Sequence, residues 1–366
     1  MSVFAHFAKA ILKFIFYKGY ILVLYCYRRL IFAWSSLTYS FHPSKIKKIL
    51  WQKDLNSETC CLFHMYCKVL PLNTLQYIKT LSENNIDVMM TNSEELDEVS
   101  LAELKKHVKI YINITNTGFD FAGFKIAFEL FNKSYNPQIV KKLILCNDSV
   151  LVEPSRFDQF LKRLLLLKDD YIGVGWGERP FFHACSWFFC VSNQVFQGKF
   201  FKKFWEQYKP YHSHEWAVQK GELELSQLLL QHQYCPKLMY DYSEVINSIK
   251  EFDPQDIFLF HKDAVRRLSQ KIHSVDIYKK ILYKIYSLHW RNGALHLFTK
   301  TDFPFIKKDI FYRRVYDEEQ LRCFFLQKSI QNLDLKNFHE DLIKKGRCKM
   351  RFFINPLANQ FYLTND

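Results

Sequence analysis

The turn Asn147, Asp148 and Ser149 is the first segment of this sequence whose residue types suit chemistry. It directly follows an apolar run at residues 142–146, KLILC. A carboxylate between an amide and a hydroxyl can hold Mg²⁺, Mn²⁺ or a sugar hydroxyl, because these cations prefer hard oxygen ligands. One carboxylate is a weak metal site, and an Asx turn formed by Asp148 and Ser149 ahead of Pro154 is the alternative explanation.

The second segment, residues 116–124, reads NTGFDFAGF and contains two of the ten glycines of the chain, Gly118 and Gly123. One glycine can form a turn and the other can permit a close backbone approach. The start of the following helix would then present free N–H groups to a phosphate or sugar oxygen. A plain strand-to-helix turn capped by Asp120 is the alternative.

The third segment, residues 221–226, reads GELELS and begins an amphipathic run. A glutamate that projects from this turn into a cleft would be a suitable general base for a sugar hydroxyl. Acidic residues also stabilise the positive end of a helix dipole, which is the structural alternative. Spacing does not distinguish Glu222 from Glu224.

Strand-like and helix-like runs alternate along the part of the chain that contains these segments. The predicted strands are 61–66, 86–91, 108–114, 142–146, 170–174 and 186–192, and the predicted helices are 72–83, 94–106, 121–132, 156–167, 193–208 and one from about 221. This alternation predicts an α/β fold with a mostly parallel, Rossmann-like sheet flanked by helices. Ligands of such sheets bind outside the carboxyl ends of the strands, where the first two segments lie.

Charge divides the chain into regions. The whole chain has a formal charge of +14, and residues 1–53 contribute nine lysines and arginines without any acidic residue. Aromatic residues alternate with these cations, which predicts a helical arm at 1–55 that lies on an anionic membrane surface. A core-packing arm with a solvated basic face is the alternative. We expect a catalytic core at 56–250 and a helical C-terminal region at 251–366 that completes the site and whose basic residues can also contact the membrane.

Charge pattern and cysteine spacing disfavour two other classes, namely nucleic-acid-binding proteins and proteins held by zinc or disulfides. Nucleic-acid binding is the weakest interpretation of the charge, because the cations lie among apolar rings and outside any reader motif. The ten cysteines form no CxxC pair and lie mostly in apolar runs, which indicates reduced thiols in a reducing compartment. His64, His183 and His296 each border apolar runs, where a single histidine is more often structural.

Eight motifs in order resemble the rhamnan synthesis protein F family over about residues 60–312. They are HMY at 64–66, IDVMMT at 86–91, NTGFDFAGF at 116–124, LILCNDS at 143–149, SWFFCVSNQVF at 186–196, FKKFW at 201–205, GELELSQ at 221–227 and FPFIKKDIF at 303–311. The resemblance implies an A-type-fold, nucleotide-sugar-dependent glycosyltransferase of bacterial surface polysaccharide synthesis. It further implies a dTDP-, UDP- or GDP-sugar donor, with rhamnose suggested by the family name, and a polysaccharide or lipid-linked glycan acceptor. The expected location is the cytoplasmic face of the cell membrane.

The resemblance also implies roles for individual residues. The residues expected to bind the donor are His64, Tyr66, Thr91, Asn116, Gly118, Asp120, Lys125, Asn147 and Ser149. Asp148 would take the place of the metal-binding Asp motif, Glu222 that of the base, and His296 that of a late metal or pyrophosphate ligand. Positive charge for the leaving diphosphate would come from Mg²⁺ or Mn²⁺ at Asp148, or from Lys125, Lys307 or Lys308. Because this sequence has one carboxylate where the wider A-type pattern has a DxD pair, a catalytically silent glycan-binding or scaffold protein is the alternative.

Overall fold

A computed structural model gives the structure of part of the chain. The described residues are 26–41, 43–241, 243, 247, 298 and 301–308, without 28, 38, 40, 137 and 178–180. His296, most of the predicted arm and most of the region 251–366 lie outside the described residues. The domain boundaries after residues 55 and 250 therefore stay predictions.

An eight-stranded sheet forms the centre of the described structure. Its strands are β1 (Ile46–Gln52), β2 (Thr59–Met65), β3 (Ile86–Asn92), β4 (Val108–Ile114), β5 (Lys142–Asn147), β7 (Tyr171–Gly173), β10 (Phe188–Ser192) and β11 (Lys237–Leu238). Their spatial order is β1-β4-β3-β2-β5-β10-β7-β11, and only β1 and β10 run antiparallel to their neighbours. The prediction of an α/β fold with a mostly parallel sheet is confirmed.

Four short strands form two additional ribbons outside this sheet. They are β6 (Val150–Val152), β8 (Trp176–Gly177), β9 (His183–Ala184) and β12 (Phe305–Lys307). β12 pairs with β6, and β8 pairs with β9, both antiparallel.

Helices cover both faces of the sheet. They are α1 (Leu72–Glu83), α2 (Glu98–His107), α3 (Phe119–Ser134), α4 (Pro154–Leu166), α5 (Asn193–Gln197), α6 (Lys199–Gln207), α7 (His214–Trp216) and α8 (Glu224–Gln231), with a π-helical segment Ala217–Leu223 between the last two. Apolar residues of α1, α2 and α4 form one core with the sheet. Those of α3, α6 and α8 form a second core on the opposite face. Strands β2 and β3 are buried at every residue, as expected for central parallel strands covered on both sides.

The strand order reverses between β2 and β5. From β2 the chain passes through α1 to β3 and through α2 to β4, away from β5. After α3 it returns to the other side of β2 as β5 and then continues in the opposite direction across the sheet. Adjacent crossovers that diverge in this way leave a crevice at the carboxyl ends of the two strands, where open α/β sheets bind ligands.

Two segments differ from the predicted helical regions. Residues 46–52, predicted within the arm, form the edge strand β1, where Trp51 stacks on Tyr111 at 5.0 Å and donates from its indole nitrogen to the Val108 carbonyl. Lysines along β1 suit an edge strand, because they discourage pairing with another chain. Residues 305–307, predicted within a helical C-terminal region, form β12, since their apolar side chains complete the buried core beside α4.

Candidate active site at the carboxyl edge of the sheet

A row of three polar side chains crosses the sheet at the point where the strand order reverses. His64 of β2 is paired in register with Thr91 of β3 on one side and with Asn147 of β5 on the other. All three are buried, at 5% exposure or less. Because residues in register on adjacent strands share a face, their side chains point to the face that α3 covers.

His64 is held as a neutral ring in this row. Its Nδ1 is hydrogen-bonded to the Thr91 hydroxyl at 2.9 Å. Burial lowers the pKa of His64, and the carboxylates of Asp120 and Asp148 only partly oppose that shift. α3 approaches so closely that a Cβ at Gly123 would lie 2.1 Å from the His64 Nδ1, so this close approach requires a glycine.

Asp120 and Asn147 join the start of α3 to the end of β5. The amide nitrogen of Asn147 donates to Asp120 Oδ2 at 2.8 Å. The other side of the same amide accepts from the Ser149 backbone N–H at 3.1 Å and from the Ser149 hydroxyl. The Asx turn expected in this segment is therefore formed by Asn147 and not by Asp148. Asp120 is not the cap of α3 either, because the helix begins at Phe119 with Gly118 in the N-cap position.

Asp148 is anchored by its backbone and leaves its carboxylate at the mouth of the crevice. Its N–H donates to the His64 carbonyl at 3.1 Å, and its side chain is 21% exposed. Two lysines of the distant segment 301–308 reach the same turn. Lys307 Nζ donates to the Ser149 hydroxyl at 2.6 Å, and Lys308 Nζ lies 4.0 Å from Asp148 Oδ2.

Lys125 lies in a different environment. Its Nζ donates to the carbonyls of Trp205 and Glu206 at the end of α6 and forms an ion pair with Glu129 at 2.9 Å. These contacts join α3 to α6 and satisfy carbonyls that a helix end leaves without intrahelical partners. The structure therefore does not place Lys125 beside Asp120 or the turn Asn147–Ser149.

Glu222 lies in the π-helical segment and is held by Ser186, just before β10. Both the backbone N–H and the hydroxyl of Ser186 donate to Glu222 Oε2 at 2.7 Å. The other oxygen, Oε1, lies 3.8 Å from His183 Nε2. The His183 Nδ1 contacts the Phe181 carbonyl at 2.8 Å and must be its protonated nitrogen, because a carbonyl can only accept. Because Nδ1 carries the proton, Nε2 has none to donate to Glu222. Oε1 is also the Glu222 oxygen to which Ser186 does not donate.

The same contacts separate Glu222 from Glu224. Glu224 is about half exposed and pairs with Lys220 at 2.9 Å, whereas the Glu222 side chain is 18% exposed. Glu222 is also not at a helix start, since the helical run begins at His214. Its burial and its hydrogen bonds to Ser186 single it out as the candidate base.

Glu222 and Asp148 belong to the same edge of the sheet. Ser186, which holds Glu222, is followed by Trp187, whose carbonyl accepts from the Asn147 N–H at 3.3 Å. Trp187, just before β10, and Asn147 of β5 thus connect the two acidic groups through the backbone. π-Helical turns inside α-helices occur frequently at functional sites, and this one carries Glu222.

The start of α3 carries the remaining predicted residues. Gly118 has a φ of 87°, which suits a glycine, and its N–H donates to His212 Nδ1 at 3.4 Å. Phe119 has a φ of 57° and stacks on the His212 ring at 5.0 Å. Asn116 is exposed in the loop after β4, and Tyr66 is 37% exposed after β2. Their contacts with a donor stay predictions.

Sequence reasoning missed the supports of the site. Ser186 and His212 hold Glu222 and the start of α3, but neither stands in a spacing that signals such a role. His183, which was expected to be structural, lies beside Glu222. Ser186 had one signal, its place at the start of the matched motif SWFFCVSNQVF.

The side chains that the structure describes do not form a site that fits a divalent metal ion. Among residues 26–308 where the structure describes them, no group of three histidine, cysteine or acidic side chains is placed to hold a metal. Asp148 faces the ammonium group of Lys308, and Asp120 Oδ2 is hydrogen-bonded to Asn147. The predicted second ligand, His296, lies outside the described residues.

Comparisons with known proteins give distant likenesses only. No protein-family model matches the chain and no curated protein matches it, so the resemblance to the rhamnan synthesis protein F family is not confirmed. Among solved structures, a cytidylyltransferase from Leptospira borgpetersenii aligns at 11% identity and a TM-score of 0.29, over 58% of this chain and 96% of that one. A glycosyltransferase involved in the glycosylation of the major capsid of PBCV-1 aligns at 12% identity and 0.29, over 50% and 82%.

Core-mannan synthase A from Aspergillus fumigatus, in its Mn/GDP form, aligns at 10% identity with a TM-score of 0.27, over 54% of this chain and 79% of that one. The first two of these three structures are transferases by name, and the third is a synthase by name. At such TM-scores the likeness carries no argument about the activity of this chain, which has to come from its own site.

Proposed function

We propose that this protein is a glycosyltransferase that moves a sugar from a nucleotide-sugar donor to a glycan acceptor. The observation that carries the proposal is the position of Glu222 and the Asp120–Asn147–Asp148 turn on one edge of the sheet, beside the reversal of strand order. The Glu222 carboxylate can deprotonate a hydroxyl, and the polar side chains of the turn can contact a sugar nucleotide. Following the family resemblance, we propose a dTDP-, UDP- or GDP-linked sugar, with rhamnose as the first candidate.

In the proposed reaction Glu222 acts as the base. The acceptor hydroxyl oxygen forms a bond to the anomeric carbon while the bond between that carbon and the diphosphate oxygen breaks. The proton passes to Glu222 Oε1, and the electron pair of the broken bond leaves with the nucleoside diphosphate. Ser186 fixes Oε2 with two hydrogen bonds, so Oε1 is presented in one orientation. Attack opposite the leaving group would invert the anomeric configuration.

The donor would bind at the carboxyl ends of β2, β3 and β5, where the buried polar row ends. We assign its nucleotide to the side of Tyr66, which is 37% exposed, above His64 and Thr91, and its sugar to the turn with Asp120 and Asp148. Because burial keeps the His64 ring neutral, His64 would add no positive charge beneath the donor. The Mg²⁺ or Mn²⁺ predicted at Asp148 and His296 has no part in this proposal.

The N-terminal helix supports a membrane-associated location. The described residues at 29–37 are helical, and Phe32 on one side of this helix packs on Trp216 at 5.1 Å. Large apolar residues on its other side and its flanks are 60–80% exposed, namely Tyr27, Leu30, Trp34, Leu37 and Phe41. Within the described part of the chain, no helix is both long and apolar enough to cross a bilayer. We propose that the exposed apolar face and the nine cations of residues 1–53 bind the anionic cytoplasmic face of a membrane, where a lipid-linked acceptor is available.

A screen of nucleotide sugars tests the proposed function. A ligand at 100 times its Kd stabilises the native state by about 2.7 kcal/mol, which raises Tm by roughly 5–10 °C for a domain of this size. We expect such a shift with one of the dTDP-, UDP- or GDP-sugars, and release of its nucleoside diphosphate when lipid-linked glycan is added. No shift with any nucleotide sugar, with or without Mn²⁺, would instead favour the silent glycan-binding protein, which the single carboxylate Asp148 also suits.

A further inference from the structure

We propose that Lys307 and Lys308 form the binding site for the donor diphosphate, so that nucleotide binding does not require a divalent metal ion. This inference rests on the proposed function and specifies how the same site binds its donor.

The two lysines are held in place by a built segment of structure. β12 pairs with β6 so that Lys307 lies opposite Val150, directly after the turn at Asn147–Ser149. The backbone N–H of Lys308 donates to the Ser149 carbonyl at 2.9 Å. Earlier in the segment, Arg156 of α4 donates to the carbonyls of Phe298 and Thr301. The ammonium groups are therefore directed to the edge of the sheet by fixed backbone.

Aromatic packing adds to this anchoring. The Phe305 ring, two residues before Lys307, is part of the core, at 5.5 Å from Phe157, 5.1 Å from Phe160 and 5.0 Å from Trp187. Lys307 Nζ lies 5.6 Å above the Trp187 ring. A segment with this much buried aromatic contact does not move freely, which is what a preorganised anion site requires.

Charge and burial favour an anion beside Lys308. The Lys308 side chain is 11% exposed, so its charge has lost most of its contact with water. Its Nζ lies 4.0 Å from Asp148 Oδ2, which places the ammonium group at the Asn147–Ser149 turn. A diphosphate oxygen placed between Lys307 and Lys308 would interact with two ammonium groups at once.

The same two charges replace what a metal would supply. Two ammonium groups provide the charge of one divalent ion at the turn where a metal was predicted. A divalent ion at Asp148 would have to bind beside the Lys308 ammonium group, and like charges at such distances repel. When the bond to the anomeric carbon breaks, the electron pair stays on the diphosphate oxygen, and Lys307 and Lys308 stabilise it without a proton transfer.

Nucleoside diphosphate binding separates lysine from metal recognition. The full-length protein is titrated calorimetrically with UDP, GDP and dTDP, in excess EDTA and in Mn²⁺ at equal ionic strength. We expect the Kd of the preferred nucleotide to agree within about threefold between the two conditions. We expect Lys308→Met and Lys307→Met each to weaken binding in EDTA by about 10- to 100-fold, the loss typical of a hydrogen bond to a charged group.

Controls separate the charge from the fold. Lys162→Met removes an equal charge from an exposed residue of α4 that pairs with Asp158, and should leave the Kd unchanged. Lys308→Arg keeps the charge and should recover most of the affinity. If Lys308→Met does not fold, as judged by circular dichroism and Tm, the more exposed Lys307→Met carries the test.

Three results would overturn the inference in distinguishable ways. Binding by the unmodified protein only in Mn²⁺ would refute lysine recognition while leaving the glycosyltransferase proposal intact. Unchanged affinity in the folded lysine variants would do the same. Absence of binding of all three nucleotides in both conditions would refute the proposed function, and this inference with it.

Discussion

Replacing Glu222 by glutamine is the sharpest test of the proposed chemistry, because the structure indicates that this variant keeps its fold. The amide oxygen of glutamine can accept both hydrogen bonds that Ser186 donates at 2.7 Å. The amide N–H₂ would then face His183 Nε2, which is an acceptor when Nδ1 donates to the Phe181 carbonyl. Every polar group of the cluster keeps a partner, so we expect the free energy of unfolding to change by less than about 1 kcal/mol.

The catalytic effect should be much larger than the effect on stability. Loss of a positioned general base usually costs 10²- to 10⁴-fold in rate, equivalent to about 3–5 kcal/mol of transition-state stabilisation. Donor binding involves no proton transfer to Glu222. We therefore expect kcat to fall by this factor while nucleotide affinity stays unchanged. Glu222→Ala differs, because the N–H and hydroxyl of Ser186 lose their acceptor. That variant should also lose about 1–3 kcal/mol of stability.

The assay is release of nucleoside diphosphate at saturating donor and acceptor, with Tm measured on the same samples. Glu224→Gln is the matched control, since it removes an acid two residues away whose exposed pair with Lys220 contributes about 0.3–0.5 kcal/mol. We expect nearly full activity from Glu224→Gln. Full activity of a folded Glu222→Gln protein would refute the assignment of the base, and equal losses in the two variants would refute the distinction drawn from burial.

Three further predictions concern the support of the site and the membrane. Gly123→Ala introduces a Cβ that clashes with His64, so we expect a loss of about 1–3 kcal/mol and a Tm lower by roughly 2–10 °C; an unchanged Tm would contradict the close approach of α3. Because burial lowers the pKa of His64, the unfolded chain takes up a proton below about pH 6.5 where the folded protein does not, and the stability contributed by the neutral ring is lost as pH falls. His64→Gln should therefore show a smaller drop in free energy of unfolding between pH 7 and pH 5 in urea titrations, and parallel curves would contradict this. Leu30→Ser with Trp34→Ser should weaken sedimentation with anionic vesicles by about 10- to 100-fold while leaving catalysis on a soluble acceptor intact, and undiminished sedimentation would refute the proposed membrane face.

The spacing of hydrophobic residues was sufficient to predict the central helices and strands. The predicted helix at 72–83 and strand at 108–114 agree with α1 and β4 to the residue. These elements have a clear hydrophobic period, which is the main local signal of secondary structure. The carboxyl edge as the place of the site followed from the predicted alternation of strands and helices, and it required no side-chain detail.

Elements with an ambiguous local pattern were predicted less well. A helix was expected to start near Gly221, but the helical run begins at His214 and passes through this glycine. The reason is tertiary: a Cβ at Gly221 would lie 2.6 Å from the Phe121 ring, so the glycine permits packing and does not end a helix. β1 was missed because its lysines suggest a solvated helix face, while its pairing with β4 is a long-range contact.

The parts of the site that depend on distant contacts could not be predicted. Asn147 and Asp120 were both selected as polar residues after strands, yet only the structure shows that they bond to each other. The contact between Lys307 and Ser149 joins residues 158 positions apart, and no local pattern encodes it. Lys125 was selected for its charge near the same segment, but its direction on α3 takes it to the end of α6.

The position of β12 in the chain has a consequence for how the site is made. The described strands of the central sheet lie before residue 239, whereas the segment with the two lysines begins at residue 301. At about 5–20 residues per second, the ribosome needs roughly 3–12 s to reach this segment after it has made β11. A nascent chain in that interval would hold the acids of the crevice without the cations that neutralise the donor. If the two lysines bind the donor as proposed, donor binding would begin only after the ribosome has made β12.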